Sequence, residues 1–157
     1  MKRRGRERLG CLLVASSGGH LFQLQTVRSG WPVENRQWVT FDTADARSLL
    51  AGEVVHRAAH PTNRNLPNLV RNVLLAARLL LRLRPLAIVT TGAGVAVPFC
   101  WLGRLTGARI IYIESMARVR GPSLTGRLVH PVAHRFFVQW PAMAGVLRKA
   151  EYHGSLL

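Results

Sequence analysis

The feature that most constrains the fold of this chain is an apolar run followed by a glycine turn, residues 9–21 (LGCLLVASSGGHL). The run is typical of a buried strand, Leu9–Ala15, and it breaks at Gly18 and Gly19. A strand, a glycine turn and a helix start, in that order, position a ligand at the carboxyl edge of a parallel sheet. Glycine lets the backbone approach a ligand closely, and the amides at a helix start attract anions. The stretch therefore predicts an α/β domain with a binding site at this edge.

Segments of strand length and segments of helix length alternate along the rest of the chain. The predicted strands are Leu9–Ala15, Gln37–Phe41, Glu53–Arg57, Leu86–Thr90, Arg109–Ile113 and Arg135–Val138. The predicted helices are Leu21–Ser29, Thr43–Leu50, Asn65–Arg84, Val95–Leu105, Ser123–Val129 and Pro141–Lys149, with Asp42 as the N-cap of the second. This alternation favours a parallel sheet with right-handed crossovers. We expect one domain over residues 9–157, preceded by a basic tail over residues 1–8.

The longest predicted helix has two distinct sides. Its basic side is a stripe of arginines at helical spacing: Arg64, Arg71, Arg78 and Arg82. The rest is apolar: Leu66, Val70, Val73, Leu74, Ala77, Leu80 and Leu81. An amphipathic helix of this kind packs its apolar face on a sheet. The same pattern also suits a helix that lies on a bilayer, so both interpretations stay open.

The charge of the chain is strongly positive. It has 22 Lys and Arg against 7 Asp and Glu, a net charge of +15. Such a surface favours contact with nucleic acid, an anionic membrane or a phosphorylated ligand. Cys11 and Cys100 both lie in apolar segments, without the spacing of a disulfide framework or a metal site. This cysteine usage is typical of a reducing compartment.

Two segments resemble membrane signals. The basic residues before Leu9 resemble the start of a signal peptide, but the apolar run of about seven residues is at the lower limit for one. Residues 85–103 carry no charge and have the length of a spanning helix. Gly92, Gly94 and Pro98 interrupt this segment, so a strand, a glycine turn and a helix fit it better. We therefore expect peripheral membrane contact through basic residues.

Three predicted strands end in glycine-rich or polar segments, at residues 16–20, 91–94 and 114–115. Since the carboxyl ends of parallel strands share one edge, we expect two glycine turns, His20 and Glu114 to outline a crevice. His20 can act as a general base or donate a hydrogen bond to phosphate. A carboxylate directly after a buried strand is costly, so Glu114 is expected to be functional or paired with an arginine. Arg118 lies in the following loop, where it either binds an anion or is solvated.

Several common sites are absent from the sequence. It lacks the dinucleotide fingerprint G-x-G-x-x-G and the P-loop motif G-x-x-x-x-G-K-[ST]. His130 and His134 straddle a proline without metal-ligand spacing, and we expect no metal site. His56, His60 and His153 are expected to be surface residues.

Three segments together resemble a known family: SSGGHLFQLQTV, TTGAGVAVPF and IYIESMARVRGPSLTGRLVHPVAHRFFVQWP. They resemble the membrane-associated subunit of the two-chain UDP-N-acetylglucosamine transferase of the dolichol-linked oligosaccharide pathway. They are equally similar to its bacterial relatives in capsular and exopolysaccharide synthesis. More distantly, the plan is similar to the N-terminal half of the lipid II-forming N-acetylglucosaminyltransferase. The resemblance runs from about Leu9 to the end, and its third segment is the most specific.

The resemblance implies a Rossmann-like parallel sheet with helices on both faces, the N-terminal, acceptor-side half of a split GT-B glycosyltransferase. Its catalytic residues would be His20 and Glu114, either of which is a candidate base. Its acceptor- and phosphate-binding residues would be Ser17, Gly18, Gly19, Thr91, Gly92, Gly94, Ser115 and Arg118. The reaction would be inverting sugar transfer from a UDP-sugar, with N-acetylglucosamine or a related hexose as the sugar. No cofactor is implied.

The resemblance also implies partners. A second subunit would carry the domain that binds the UDP-sugar, and this chain would be almost inactive without it. The acceptor would be a polyprenyl-(pyro)phosphate-linked sugar or phosphate. Eukaryotic members carry a hydrophobic N-terminal anchor, whereas only eight mostly basic residues precede the first predicted strand here. We therefore expect peripheral attachment to the anionic cytoplasmic face of the cell membrane.

Other functions compete with this one. A small-molecule-binding α/β domain of other chemistry is disfavoured by the missing dinucleotide fingerprint, which leaves two. A non-catalytic scaffold would recruit the catalytic partner to the membrane, and its glycine turns would be dispensable. A nucleic-acid-binding module would explain the charge of +15. Against the second, aromatic residues are not interleaved with the basic ones and no nucleic-acid-binding motif is present. We expect no nucleic-acid partner.

Overall fold

The computed structural model describes residues 8–156, so nearly all of the predicted basic tail lies outside the described residues. Within them, seven strands form one sheet in the order β3-β2-β1-β4-β5-β6-β7, and every neighbouring pair is parallel. The strands are β1 Cys11–Val14, β2 Arg36–Thr40, β3 Val55–Arg57, β4 Ala87–Thr90, β5 Arg109–Ile113, β6 Arg135–Val138 and β7 Ala150–Tyr152. The helices are α1 Gly19–Thr26, α2 Ala44–Leu49, α3 Leu66–Leu83, α4 Ala96–Leu105 and α5 Leu124–Val129. The predicted α/β class is confirmed.

Helices cover both faces of the sheet. Alternate residues of each strand point to opposite faces, so Leu12 and Val14 lie in one apolar core and Cys11 and Leu13 in the other. Helices α3, α4 and α5 contribute to the first core, and α1 and α2 to the second. Strands buried on both faces read as continuous apolar runs, which is why most of the strands were recognisable in the sequence.

Helix α3 packs with a face that the sequence did not indicate. Its buried side includes the amides of Asn68 and Asn72. Leu66, Leu74 and Leu81, which belong to the predicted apolar side, have 69%, 65% and 72% of their surface exposed. Leu80 of the same side is buried, so only part of the predicted apolar side packs on the sheet and the rest faces solvent. The asparagines are buried because they bond a neighbouring backbone: Asn72 exchanges two hydrogen bonds with Ala59, at 2.8 and 3.0 Å.

Two local predictions near the helices are also wrong. Of residues 141–149, only Pro141–Met143 form a short 3₁₀ turn, and the strand β7 that follows, Ala150–Tyr152, pairs with β6. Gly145 and the left-handed backbone of Lys149 (φ +75°) do not suit a continuous helix. Asp42 does not cap α2, whose N-cap position is Thr43 without a side-chain hydrogen bond. The carboxylate of Asp42 instead pairs with Arg47 and Arg57.

A buried ion pair joins β2 to the turn before β3. The guanidinium of Arg36 donates to both oxygens of Glu53 and also to the carbonyls of Arg28 and Trp31. Both side chains are 7% exposed. The indole of Trp38 donates a third hydrogen bond to Glu53, at 3.0 Å. A buried charge of this kind is tolerated only because its partners satisfy it.

This pair predicts part of the acid sensitivity of the fold. The guanidinium of Arg36 holds the pKa of Glu53 below its ordinary value. A carboxyl whose pKa is lowered by folding stabilises the protein above its unfolded pKa, and the contribution is lost as pH falls through the folded value. The free energy of unfolding should therefore fall from about pH 5 downward, and less steeply in Glu53→Gln. Urea unfolding across this range measures it, with the exposed Glu34→Gln as control. Equal slopes in Glu53→Gln and the unmodified chain would contradict the prediction.

Candidate functional site

A cavity with a volume of about 1030 Å³ lies at the carboxyl edge of the sheet. Loops after β1, β3, β4 and β5 contribute to its wall, together with the starts of α4 and α5. The lining residues that carry polar groups are Ser16, His20, His60, Thr62, Asn63, Arg64, Ser115, Arg118, Ser123 and Thr125. Its apolar lining includes Phe41, Pro61, Ala93, Val97, Ala117, Leu124 and Leu128. This is the edge that the glycine turns predicted.

His20 lies in the first turn of α1 and lines this cavity. Its Nδ1 is 2.8 Å from the carbonyl oxygen of Thr91, and the Thr91 hydroxyl donates back to the His20 carbonyl at 2.6 Å. A carbonyl only accepts hydrogen bonds, so Nδ1 carries the proton in this contact. The neutral ring then has its lone pair on Nε2, which has no hydrogen-bond partner among residues 8–156. The arrangement leaves His20 able to accept a proton inside the cavity.

The first glycine turn is partly occupied by an acid that the sequence analysis did not single out. The amide of Gly18 donates to the carboxylate of Asp45, from the first turn of α2, at 2.8 Å. Gly18 has φ +75°, a conformation that favours glycine. Gly18, Gly19 and Ser17 are not among the residues that line the cavity. The structure thus brings Ser16 and His20 to the cavity but not the rest of this turn.

The second glycine turn is closely packed. Thr91 is buried, and the amide of Gly92 donates to the Thr90 hydroxyl at 2.9 Å. A Cβ on Gly92, where φ is +107°, would lie 2.7 Å from the Tyr112 hydroxyl and 3.6 Å from Cε1 of His20. Gly94 lines the cavity, and a Cβ there would lie 3.2 Å from Thr62 Oγ1. The turn therefore contacts His20 on one side and the loop before α3 on the other.

Glu114 is 1% exposed and lies behind the cavity wall. One carboxylate oxygen accepts from the amide of Ser115 at 2.9 Å. The other accepts from the amide and the hydroxyl of Ser123, at 2.9 and 3.2 Å. No arginine or lysine among residues 8–156 forms an ion pair with it. Ser115 and Ser123 do line the cavity, so Glu114 joins the two ends of the loop between β5 and α5.

Ser123 links this carboxylate to the second glycine turn. Its hydroxyl donates to Glu114 and accepts from the amide of Gly126 at 2.9 Å, as the N-cap of α5. The Tyr112 hydroxyl, 3.1 Å away, supplies the remaining donor. Burial, reinforced by the nearby Glu114, raises the pKa of Tyr112, so the phenol stays protonated. Ser123 was not singled out from the sequence, although its place three residues before Gly126 at a helix start is typical of an N-cap.

The loop between β3 and α3 is the largest part of the cavity wall that the sequence analysis missed. His60, which was expected only at the surface, is exposed but lines the cavity, and its ring lies 4.7 Å from that of Phe41. Thr62, Asn63 and Arg64 follow it along the wall. The signal was available, because this loop also leaves the carboxyl end of a parallel strand. Across the cavity Arg118 lies where it was expected, in the loop after Ser115.

Neither a metal site nor a spanning helix is found in the described residues. No group of three or more His, Cys, Asp or Glu within residues 8–156 is arranged to hold a metal ion. Over the same residues, none of the helices combines the length and the apolar character needed to cross a bilayer.

The fold defines the class of protein. MurG of Acinetobacter baumannii is similar to this chain with a TM-score of 0.72 at 18% identity, over 93% of this chain and 45% of MurG. The UDP-N-acetylglucosamine 2-epimerase of Rickettsia bellii is similar with a TM-score of 0.69 at 11% identity, over 96% of this chain and 46% of the epimerase. This chain therefore spans less than half the length of these two structures. It has the Rossmann-like fold of one half of a GT-B protein, as predicted.

The chain belongs to the Alg14-like family of oligosaccharide biosynthesis proteins, whose model matches residues 54–156. The UDP-N-acetylglucosamine transferase subunit ALG14 of Debaryomyces hansenii is 30% identical over 177 residues, covering 93% of this chain and 75% of that protein. The subunit of the same name from Candida albicans is 28% identical, covering 92% and 77%. The human one is 26% identical, covering 97% and 85%. The resemblance inferred from the three sequence segments is confirmed.

Proposed function

We propose that this chain is the acceptor-binding subunit of a two-chain inverting glycosyltransferase. The enzyme would transfer N-acetylglucosamine, or a related hexose, from a UDP-sugar to a polyprenyl-(pyro)phosphate-linked acceptor. The observation that carries the proposal is a free imidazole Nε2 in a cavity that also has two arginines and an apolar wall. An acceptor of this kind needs all three: a base for its hydroxyl, cations for its phosphates and apolar surface for its chain.

His20 would act as the base. The acceptor hydroxyl oxygen attacks the anomeric carbon of the donor from the side opposite the UDP group, and its proton passes to Nε2 of His20. The bond from the anomeric carbon to the UDP oxygen breaks, and UDP leaves with the electron pair, which inverts the configuration. The Thr91 carbonyl holds the proton on Nδ1 and so keeps Nε2 available. Glu114, with both oxygens bonded behind the wall, would instead fix Ser115 and Ser123.

The partner subunit would supply the UDP-sugar-binding half. The names of the relatives support this, because they are called transferase subunits. A GT-B active site lies in the cleft between two such halves. The surface that lines the cavity at the carboxyl edge of this sheet would form one side of that cleft. The partner would therefore close over the rim that carries His20.

The experiment that tests the proposal is reconstitution. The chain is co-expressed with a candidate donor-binding subunit, and transfer from labelled UDP-N-acetylglucosamine to a polyprenyl-diphosphate-linked acceptor is measured. Transfer by the pair, with almost none by either chain alone, would support it. If variants of His20 and of the second glycine turn kept full activity while still binding the partner, the chain would be a scaffold and the catalytic proposal would fail.

Attachment to the anionic cytoplasmic face of the membrane is part of the proposal. Helix α3 turns Leu66, Val70, Leu74 and Leu81 to solvent, each at least half exposed, beside the arginines of the same helix. An apolar helix face edged with cations is suited to a bilayer carrying anionic lipid. The cavity also includes Leu128 of α5, itself 47% exposed, so the acceptor chain would reach the membrane on the same side as α3.

Binding to vesicles tests this attachment. The double variant Leu74→Gln and Leu81→Gln should weaken binding to anionic vesicles by at least about tenfold, because each buried leucine contributes about 1.5–3 kcal/mol. The fold should be unaffected, since both side chains are exposed. Val33→Gln, another half-exposed apolar residue outside α3, is the matched control. Co-sedimentation with anionic and with neutral vesicles measures the effect, and unchanged binding of the double variant would exclude α3 as the membrane surface.

A further inference from the structure

Two arginines in the cavity have no partner within the described residues 8–156. Arg64 and Arg118 both line it, one from the loop before α3 and the other from the loop before α5. Neither guanidinium forms a hydrogen bond or an ion pair with any of residues 8–156. Arg36, Arg57 and Arg135 of the sheet strands are by contrast paired with acids. The two unpaired cations in the cavity are therefore available to an anionic ligand.

The glycine turns, which would ordinarily receive an anion, are less available. The amide of Gly18 already donates to Asp45, whose negative charge also repels a phosphate at that turn. The amide of Gly92 already donates to Thr90. An anion in this cavity consequently meets more free positive charge at the two arginines than at the first glycine turn.

The loop that carries Arg64 has a defined conformation. Arg64 has φ +49°, in the left-handed region that is unfavourable for a residue with a Cβ. Strained backbone of this kind persists where the surroundings over-determine it, and it is enriched at ligand sites. Here Asn68 of α3 donates to the Pro61 carbonyl at 2.9 Å, and the Asn65 side chain accepts from the Asn68 amide at 2.9 Å. The two asparagines fix both ends of the segment around Arg64.

The loop that carries Arg118 is fixed from the other side of the cavity. The Arg118 amide donates to the Ser115 carbonyl at 2.9 Å, and Ser115 is bonded to the buried Glu114. Both arginines thus extend from backbone that is held in place before a ligand arrives. Guanidinium groups are well suited to phosphate oxygens, which they bind in a bidentate manner.

We propose that Arg64 and Arg118 together hold the diphosphate of the lipid-linked acceptor, and that the first glycine turn does not. This inference rests on the proposed function for the source of the diphosphate. A donor such as UDP carries the same group, so the two sources must be separated by experiment. The apolar residues in the same cavity, Val97 and Leu128 among them, favour the diphosphate that bears a hydrocarbon chain.

Calorimetric titration of the full chain with inorganic pyrophosphate, geranyl diphosphate and UDP tests the assignment. Arg64→Gln and Arg118→Gln should each weaken geranyl diphosphate binding by about 10–100-fold, the range for loss of a charged hydrogen bond. Arg64→Lys should be intermediate, because lysine keeps the charge and loses the bidentate contact. Arg109→Gln, at an exposed arginine at the start of β5 and outside the cavity, removes the same charge and should stay within about twofold. The side chains of Arg64 and Arg118 are exposed and unpaired within residues 8–156, so their loss should not affect folding. Equal thermal midpoints of the variants and the unmodified chain confirm this.

Asp45→Ala distinguishes the two possible anion sites. If the diphosphate lies at the arginines, affinity should change by less than about twofold; an anion at Gly18 would instead bind several-fold more tightly. The proposal is overturned if both arginine variants bind like Arg109→Gln, or if their loss affects UDP and not geranyl diphosphate. These titrations need no transfer reaction. An assembled complex that transfers no sugar would refute the proposed function and leave the diphosphate site intact.

Discussion

Replacing His20 with alanine should lower kcat of the assembled transferase by about 10²–10⁴-fold, the usual contribution of a positioned general base. The reason is the hydrogen bond from Nδ1 to the Thr91 carbonyl, which leaves Nε2 as the proton acceptor in the cavity. Without the imidazole, the acceptor hydroxyl loses its proton only to water. The measurement is the initial rate of sugar transfer at saturating donor and acceptor.

Two further variants separate proton transfer from packing. His20→Gln keeps an amide able to donate to Thr91 but supplies no base, so its kcat should be as low as that of His20→Ala. His153→Ala is the matched control, because His153 is exposed and contacts Glu151 and Phe137 at the far edge of the sheet. Circular dichroism and a thermal midpoint check that each variant folds. A His20→Gln enzyme with more than a tenth of the original kcat would remove His20 from the chemistry.

The fold was predictable because strands that are buried on both faces appear in the sequence as continuous apolar runs. Arg109–Ile113 and Arg135–Val138 have the bounds predicted for them, since their apolar runs end sharply at polar residues. The strand β7 was missed because three residues, Ala150–Tyr152, at a sheet edge carry no such pattern. Helical periodicity alone could not reveal that Leu66, Leu74 and Leu81 of α3 face solvent while Asn68 and Asn72 are buried.

The site was predictable in outline but not in its contacts. Glycine turns after strands located the edge, and His20 and Ser115 line the cavity there. The partner of Gly18, however, is Asp45, which is 27 residues away, and no local pattern connects them. The loop from His60 to Arg64 joins the cavity through long-range packing against Gly94, which is equally invisible in the sequence.

Substitution of Glu114 should lower the free energy of unfolding more than it affects the chemical step of transfer. In Glu114→Ala, the amides of Ser115 and Ser123 and the Ser123 hydroxyl lose their acceptor. Each orphaned buried donor costs about 1–3 kcal/mol, so the free energy of unfolding should fall by about 3 kcal/mol or more. Glu114→Gln should lower the free energy of unfolding less than Glu114→Ala does. It should still lower it, because the NH₂ group of the glutamine would face one of the donors of Ser115 or Ser123. We expect a loss of about 1–3 kcal/mol for this variant, measured by urea unfolding.

The kinetics of Glu114→Gln decide between the two roles that the sequence left open for this acid. If Glu114 positions the loop between β5 and α5, KM for the acceptor should rise through displacement of Ser115 and Arg118, with kcat within about tenfold. Ser123→Ala, which removes one of the same hydrogen bonds, should reproduce part of the KM effect. Glu151→Gln, an acid at the sheet edge, is the control. A Glu114→Gln enzyme of unchanged stability whose kcat fell more than about 100-fold would contradict the positioning role. Such a fall in kcat is expected only if Glu114 is a base that contacts the substrate.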